Sequence, residues 1–159
     1  MRLIESSYEI IPQAPGLDGI YKQIELAARN CYKSESFIKE GSAERMINAL
    51  IQRGHGSPLE HGTVYLFIPL HTDKDVYNII KRFENNHYSK VKIRNEHFLL
   101  DKNGYYITSN YRVLVENDWL ECLKYLCEPT EWHEKRHTVR FVCSRSISHK
   151  FLWLNKVIY

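Results

Sequence analysis

Apolar residues in the first half of the chain recur first at the spacing of a strand and then at the spacing of a helix. The opening run MRLIESSYEII alternates as a strand does, and the prolines and glycines of residues 12–19 predict a turn after it. A first helix is predicted from the apolar residues that follow at helical spacing: Ile20, Ile24, Ala27, Ala28 and Cys31. A second helix is predicted to begin at Ser42 as N-cap and to end just before Gly54.

Shorter elements are predicted for the second half. Thr72 and Asp75 form a capping-box pattern that begins a third helix. The apolar face of this helix consists of Val76, Ile79, Ile80 and Phe83. The remaining pattern predicts strands over 63–70, 88–94, 104–108 and 137–143, a hairpin-type turn at Asn103-Gly104 and a short helix over 119–126.

This order of elements favours an α/β (α+β) fold in which helices pack on a mixed sheet. The sequence contains no repeat, low-complexity run or linker-like stretch. We therefore expect a single domain over residues 1–159.

Composition and charge narrow the possible partners. The net charge of +3 is small and the charged residues are interspersed, which does not favour a nucleic-acid partner but is compatible with anionic small ligands. The four cysteines form no C-x-x-C pair, and neither a signal peptide nor a long apolar run is present. We expect a reduced, cytoplasmic protein without a membrane partner, with Cys31 packed on the apolar face of the first helix.

The densest group of reactive side chains is the run Gly54-His55-Gly56-Ser57-Pro58-Leu59-Glu60-His61. Imidazoles can donate hydrogen bonds to a ligand carbonyl or stack on a ring, and Glu60 can orient a histidine or accept from a ring N–H. The alternative is a turn whose polar side chains are only solvated. The spacing alone leaves both interpretations open.

Two other groups have weaker functional interpretations. Residues 133–137 read H-E-K-R-H, which fits the zinc-hydrolase pattern H-E-x-x-H only if both histidines lie on one helix. His137 opens a strand-like alternation instead, so we predict no metal site. Arg29 and Lys33 lie at the end of the first helix, where they complement the helix dipole or meet a phosphate.

Three blocks together resemble the flavin-dependent thymidylate synthase family. They are AARNCYKS at residues 27–34, GHGSPLEHGTVYLF at residues 54–67 and TVRFVCSRSISHKF at residues 138–151, in the order that the family has. Residues 71–137 are similar to a longer insertion in one branch of the family. The resemblance covers residues 1–151.

The resemblance implies a reaction, a cofactor and site residues. Family members methylate dUMP to dTMP with methylenetetrahydrofolate and NADPH on bound FAD, and they are cytoplasmic homotetramers. His55, Ser57 and Glu60 match residues of the flavin site. His149 and Lys150 lie near the expected nucleotide position, where Lys150 replaces the family's usual glutamate or glutamine. The family's R-H-R signature should begin shortly after His149, but the chain has Trp-Leu-Asn there.

No catalytic residue is therefore assigned, and we expect a chain truncated relative to the family and impaired in turnover. The alternative is a non-catalytic folded remnant that serves in interaction or oligomerisation.

Overall fold

The computed structural model describes residues 5–70, 75–96 and 102–143. In chain order its helices and strands are β1 (Ser7–Ile11), α1 (Gly16–Tyr32), α2 (Ser42–Gln52), β2 (Thr63–Pro69), α3 (Asp75–Glu84), β3 (Lys90–Arg94), β4 (Gly104–Asn110), α4 (Tyr111–Glu116) and β5 (Thr138–Val142). The predicted α+β class is confirmed. The residues fall into two compact units, one spanning 13–135 and one containing β1 and β5. The single domain remains a prediction.

The larger unit is built on a three-stranded antiparallel sheet in the order β2-β4-β3. In its register, Leu66 of β2 is opposite Ile107 of β4, and Ile107 is opposite Val91 of β3. Because successive side chains of a strand point to opposite faces, these residues share one face of the sheet. The core consists mainly of this face and of the buried residues of the helices, namely Ile20, Ile24, Ala28, Ile47, Leu50, Val76, Ile79, Ile80, Phe83 and Leu114.

The smaller unit is a two-stranded antiparallel ribbon. β1 pairs with β5, with Ser7 opposite Val142 and Ile11 opposite Thr138. Arg140 donates to the carboxylate of Glu9 directly across the ribbon, at 2.6 Å. Such exposed cross-strand pairs add little stability, so the backbone ladder defines the ribbon.

The first helix begins earlier than predicted. The predicted turn reached Gly19, but α1 begins at Gly16, whose φ of 70° reverses the chain before the helix. Gly19 lies inside the helix, where a β-carbon would collide with the carbonyl of Ala14. The two glycines thus allow a close helix start rather than a longer turn.

Two further predictions at helices are wrong. The N-cap of α2 is Gly41, because Ser42 is already helical and its hydroxyl exchanges hydrogen bonds with the backbone of Lys39. Cys31 is exposed rather than packed, since the buried face of α1 ends at Ala28. Thr72, predicted to cap the third helix, lies outside the described residues.

The short helix α4 was not predicted. The side chain of Asn110 accepts a hydrogen bond from the backbone N–H of Val113 at 3.0 Å and thereby caps it. The fourth helix that was predicted over 119–126 is a 3₁₀ helix, Leu120–Tyr125. Within the described residues, no helix combines the length and the apolar character that a membrane crossing requires.

Candidate functional site

The backbone of the 54–61 loop is held at its start by the end of α2. Gly54 adopts a φ of 66°, the left-handed conformation that commonly follows a helix. The N–H of His55 donates to the carbonyl of Leu50 at 2.9 Å. Residues Ser57–His61 then form one 3₁₀ turn. The loop is therefore a defined connection between α2 and β2.

The far end of the loop is anchored in the core. The side chain of Leu59 is only 2% exposed. Gly62 lies so close to α1 that an added β-carbon would be 2.8 Å from Ile20 and 2.6 Å from Ile24. Its carbonyl accepts from the N–H of Tyr111 at 2.8 Å. The glycine thus lets the loop pass tightly between α1 and α4.

The side chains of His55 and Ser57 point away from this anchored backbone and are exposed. The Nδ1 of His55 lies 3.3 Å from the hydroxyl of Tyr32, at the end of α1. An imidazole and a phenol are therefore adjacent at the surface, and the same loop exposes the hydroxyl of Ser57. All three groups can donate and accept hydrogen bonds, which suits a ligand with ring carbonyls and ring nitrogens.

Glu60 is engaged by a partner that the sequence analysis missed. Arg112 of α4 donates to Glu60 at 2.5 Å and to Glu116 at 2.6 Å. Hydrogen bonds to Glu116 and then to Glu60 raise the pKa of Arg112 above its usual value. A β-carbon on Gly56 would be 2.8 Å from the Nε of Arg112, so this side chain packs directly on the loop.

Arg112 and Tyr32, the two neighbours of the loop that the sequence did not predict, each had a weak signal in the sequence. Arg112 and Glu116 have the i,i+4 spacing of an ion pair on a helix, and Asn110 precedes them as an N-cap. Recognising α4 would have revealed the pair but not its contact with Glu60, which lies 52 residues earlier. Tyr32 belongs to the run at the end of α1, and only the fold brings it to His55.

The two cations at the end of α1 are used differently from each other. Arg29 donates to Glu25 at 2.7 Å, and both side chains are largely buried. Lys33 adopts the left-handed conformation that ends the helix, and its side chain is exposed. Arg29 is thus already paired within the fold, which favours a structural role over a phosphate contact.

The H-E-x-x-H pattern does not lie on a helix, because residues 133–137 have no regular secondary structure apart from a bend at His133. His133 is 3% exposed, and its Nδ1 accepts from the N–H of Thr130 at 3.1 Å. Its Nε2 therefore carries the proton, which it donates to the carbonyl of Leu66 at 3.2 Å. Burial lowers the pKa of His133. The neutral side chain joins the segment at Thr130 to β2 at Leu66 through these two hydrogen bonds. His149 and Lys150, predicted to bind substrate, lie outside the described residues.

The family model of thymidylate synthase complementing proteins matches residues 17–70. The resemblance to the flavin-dependent thymidylate synthases is confirmed there. The matched segment runs from α1 to the end of β2 and includes the whole 54–61 loop. Searches among curated proteins and among solved structures gave no match.

Proposed function

We propose that this chain takes part in flavin-dependent thymidylate synthesis, with His55, Ser57 and Glu60 at its FAD site. The single observation that carries the proposal is that the family match includes the loop that holds these residues. The loop has the character of a binding segment, because a fixed backbone presents polar side chains to solvent. The assigned reaction is the family's reductive methylation of dUMP to dTMP.

The residues present fit an FAD ring. The isoalloxazine ring offers carbonyl oxygens, ring nitrogens and an N–H, and these require both donors and acceptors. His55, Ser57 and the nearby Tyr32 supply both kinds of group from exposed positions. Bound FAD would supply the reducing equivalents for the methylation, with methylenetetrahydrofolate and NADPH as co-substrates.

The protein side chains have separate roles in this proposal. The imidazole of His55 contacts the ring, and the hydroxyl of Tyr32 fixes the imidazole's orientation through its Nδ1. The hydroxyl of Ser57 provides a second contact. Glu60 stays paired with Arg112, and this pair holds the loop against α4.

The remaining parts of the assignment also follow from the resemblance. His149 and Lys150 contact the dUMP phosphate or base, and further copies of the chain complete the site in a homotetramer. The enzyme operates in the cytoplasm. No nucleic acid takes part.

The cofactor site is tested by titrating FAD with the purified full chain and measuring the polarisation of flavin fluorescence. We expect saturable binding that His55→Ala weakens about three- to tenfold, as the loss of a hydrogen bond would. His87→Ala is the matched control, because His87 is equally exposed and lies outside the loop. Absence of binding, or equal binding by both variants, would overturn the assignment of the loop.

The reaction is tested separately by measuring dTMP formation from dUMP, methylenetetrahydrofolate and NADPH with added FAD. Formation of dTMP that His55→Ala reduces and His87→Ala does not would support synthesis by this chain. Binding of FAD at His55 without dTMP would overturn the reaction and leave a flavin-binding interaction module.

A further inference from the structure

A second candidate site lies within the 13–135 unit, on the face of the three-stranded sheet opposite the core. The segment 126–133 runs along β2, where the N–H of Cys127 donates to the carbonyl of Tyr65 at 2.9 Å. Between this segment and the sheet is a cavity of about 390 Å³. Its volume lies in the range of small-molecule sites. No residue of the 54–61 loop lines it.

Aromatic rings form much of the cavity wall. Phe67 of β2 and Tyr106 of β4 lie opposite each other in the sheet, with ring centroids 5.0 Å apart. Trp132 closes the wall from the covering segment, 6.3 Å from the ring of Tyr106. A flat ring entering the cavity would contact aromatic carbon on more than one side.

Two buried N–H groups belong to residues that line this cavity and have no acceptor among the described residues. Within the part of the chain that the structure describes, the Nε of Arg94 and the Nε1 of Trp132 have no hydrogen-bond partner. The side chain of Arg94 is only 8% exposed. Its guanidinium lies over the indole of Trp132, 4.6 Å from the ring centroid, so the two donors belong to one assembly. Unpaired buried donors are costly and rare, and a bound acceptor would satisfy them.

The buried guanidinium of Arg94 favours an anionic acceptor. Arg94 is buried and shares its charge with one carboxylate, that of Glu96, through a different nitrogen at 2.6 Å. Lys102, Glu128 and Glu131 also line the cavity, and all three are exposed, so solvent screens their charges more than that of buried Arg94.

We propose that this cavity binds a small aromatic carboxylate. The carboxylate accepts hydrogen bonds from Arg94 and Trp132, and the ring packs against Phe67 and Tyr106. Of the two acceptor anions that such donors suit, carboxylate and phosphate, the flat carboxylate matches the planar guanidinium.

The test uses benzoate as the probe and the indole N–H signals of the ¹⁵N-labelled full chain as the readout. We expect the Trp132 signal to shift downfield and saturably with added benzoate, because its N–H gains an acceptor. The Trp119 signal should not move, since this ring packs on Phe83 and does not line the cavity. Assignment comes from Trp132→Phe and Trp119→Phe.

Two variants separate the roles of the donors. Arg94→Lys keeps the charge but removes the Nε donor and the planar geometry, and should weaken benzoate binding about ten- to a hundredfold. Trp132→Phe keeps a ring and removes one donor, and should weaken benzoate binding about three- to tenfold. Because this variant lacks the Trp132 indole signal, its binding is measured from the benzoate-dependent shifts of the Tyr106 backbone amide. A retained pattern of dispersed signals shows that each variant is folded.

Matched ligands complete the test. Benzyl alcohol has the same ring without the anion and should bind at least about tenfold more weakly than benzoate. The proposal is overturned if millimolar benzoate does not shift the Trp132 signal, which is the result expected of a cavity that holds only water. It is also overturned if benzyl alcohol binds equally well or if Trp119 shifts in parallel. None of these results depends on FAD.

Discussion

The 54–61 loop and the cavity beside Trp132 both present hydrogen-bonding groups, but they are constructed in opposite ways. In the loop, hydrogen bonds and the buried side chain of Leu59 anchor the backbone, while His55 and Ser57 are exposed to solvent. Beside the cavity, the Nε of Arg94 and the Nε1 of Trp132 are enclosed and have no acceptor among the residues that the structure describes. Solvent satisfies the exposed groups of the loop at no cost, whereas a buried donor without an acceptor is costly, and a bound acceptor would remove that cost.

The largest effect is expected from removing the apolar anchor of the loop. Leu59→Ala deletes a side chain that is 2% exposed and should lower the free energy of unfolding by about 2–5 kcal/mol. Leu17→Ala is the control, because Leu17 is 36% exposed in the first turn of α1. Urea denaturation measures both variants. Equal losses would mean that the loop is not anchored through Leu59.

Gly56 of the loop and Gly62, which directly follows the loop, should differ in their tolerance of a β-carbon. Both have a negative φ that alanine adopts, with values of −78° at Gly62 and −72° at Gly56, so only the surroundings differ. Gly62→Ala meets the packed side chains of Ile20 and Ile24 and should cost about 1–3 kcal/mol. Gly56→Ala displaces the flexible end of Arg112 and should cost less. The reverse order in thermal or urea denaturation would contradict the packing described here.

The pH dependence of the free energy of unfolding should distinguish the buried His133 from an exposed histidine. Burial lowers the pKa of folded His133, while a nearby Lys92 adds to the effect and the bond to Leu66 opposes it. Below the unfolded value of about 6.5, the unfolded chain therefore binds more protons, and the free energy of unfolding falls as pH falls. His133→Gln should flatten this slope between neutral pH and the folded pKa.

The control for this pH effect is His87→Gln, which alters an exposed histidine and should leave the slope unchanged. Urea denaturation at a series of pH values gives the three profiles. Parallel profiles for the wild type and His133→Gln would contradict a neutral buried imidazole.

The smallest effect is expected at the ion pair that flanks the loop. Glu60 and Arg112 are 44% and 36% exposed, so their coupling should be only about 0.2–1 kcal/mol. A double-mutant cycle with Glu60→Gln and Arg112→Gln measures it by urea denaturation, with high salt reducing the value further. A coupling well above this range would mean that the pair, rather than Leu59, holds the loop.

The sequence predicted what depends on neighbouring residues along the chain. The apolar faces of α1, α2 and α3 follow from helical spacing, and the polar loop was evident because its residues are contiguous. The contact between Glu60 and Arg112 could not be predicted, since it joins residues 52 positions apart. The cavity was missed for the same reason, because its wall combines β2, β3, β4 and a covering segment without regular structure.

The spacing of apolar residues also could not predict which residues of a helix are exposed. Cys31 continues the apolar spacing of α1, yet it lies in the last turn, where no packing partner covers it among the residues described, and it is exposed. Spacing reports which residues share a helix face but not where the neighbouring element ends.

The most direct test of the central claim is an FAD titration of the ¹⁵N-labelled chain, followed by its backbone amide and indole signals. We expect saturable shifts at the amides of Gly56, Ser57 and Glu60 and an unchanged indole signal of Trp132. Shifts at Trp132 with unmoved loop amides would contradict it, because the flavin would then occupy the aromatic cavity and not the loop.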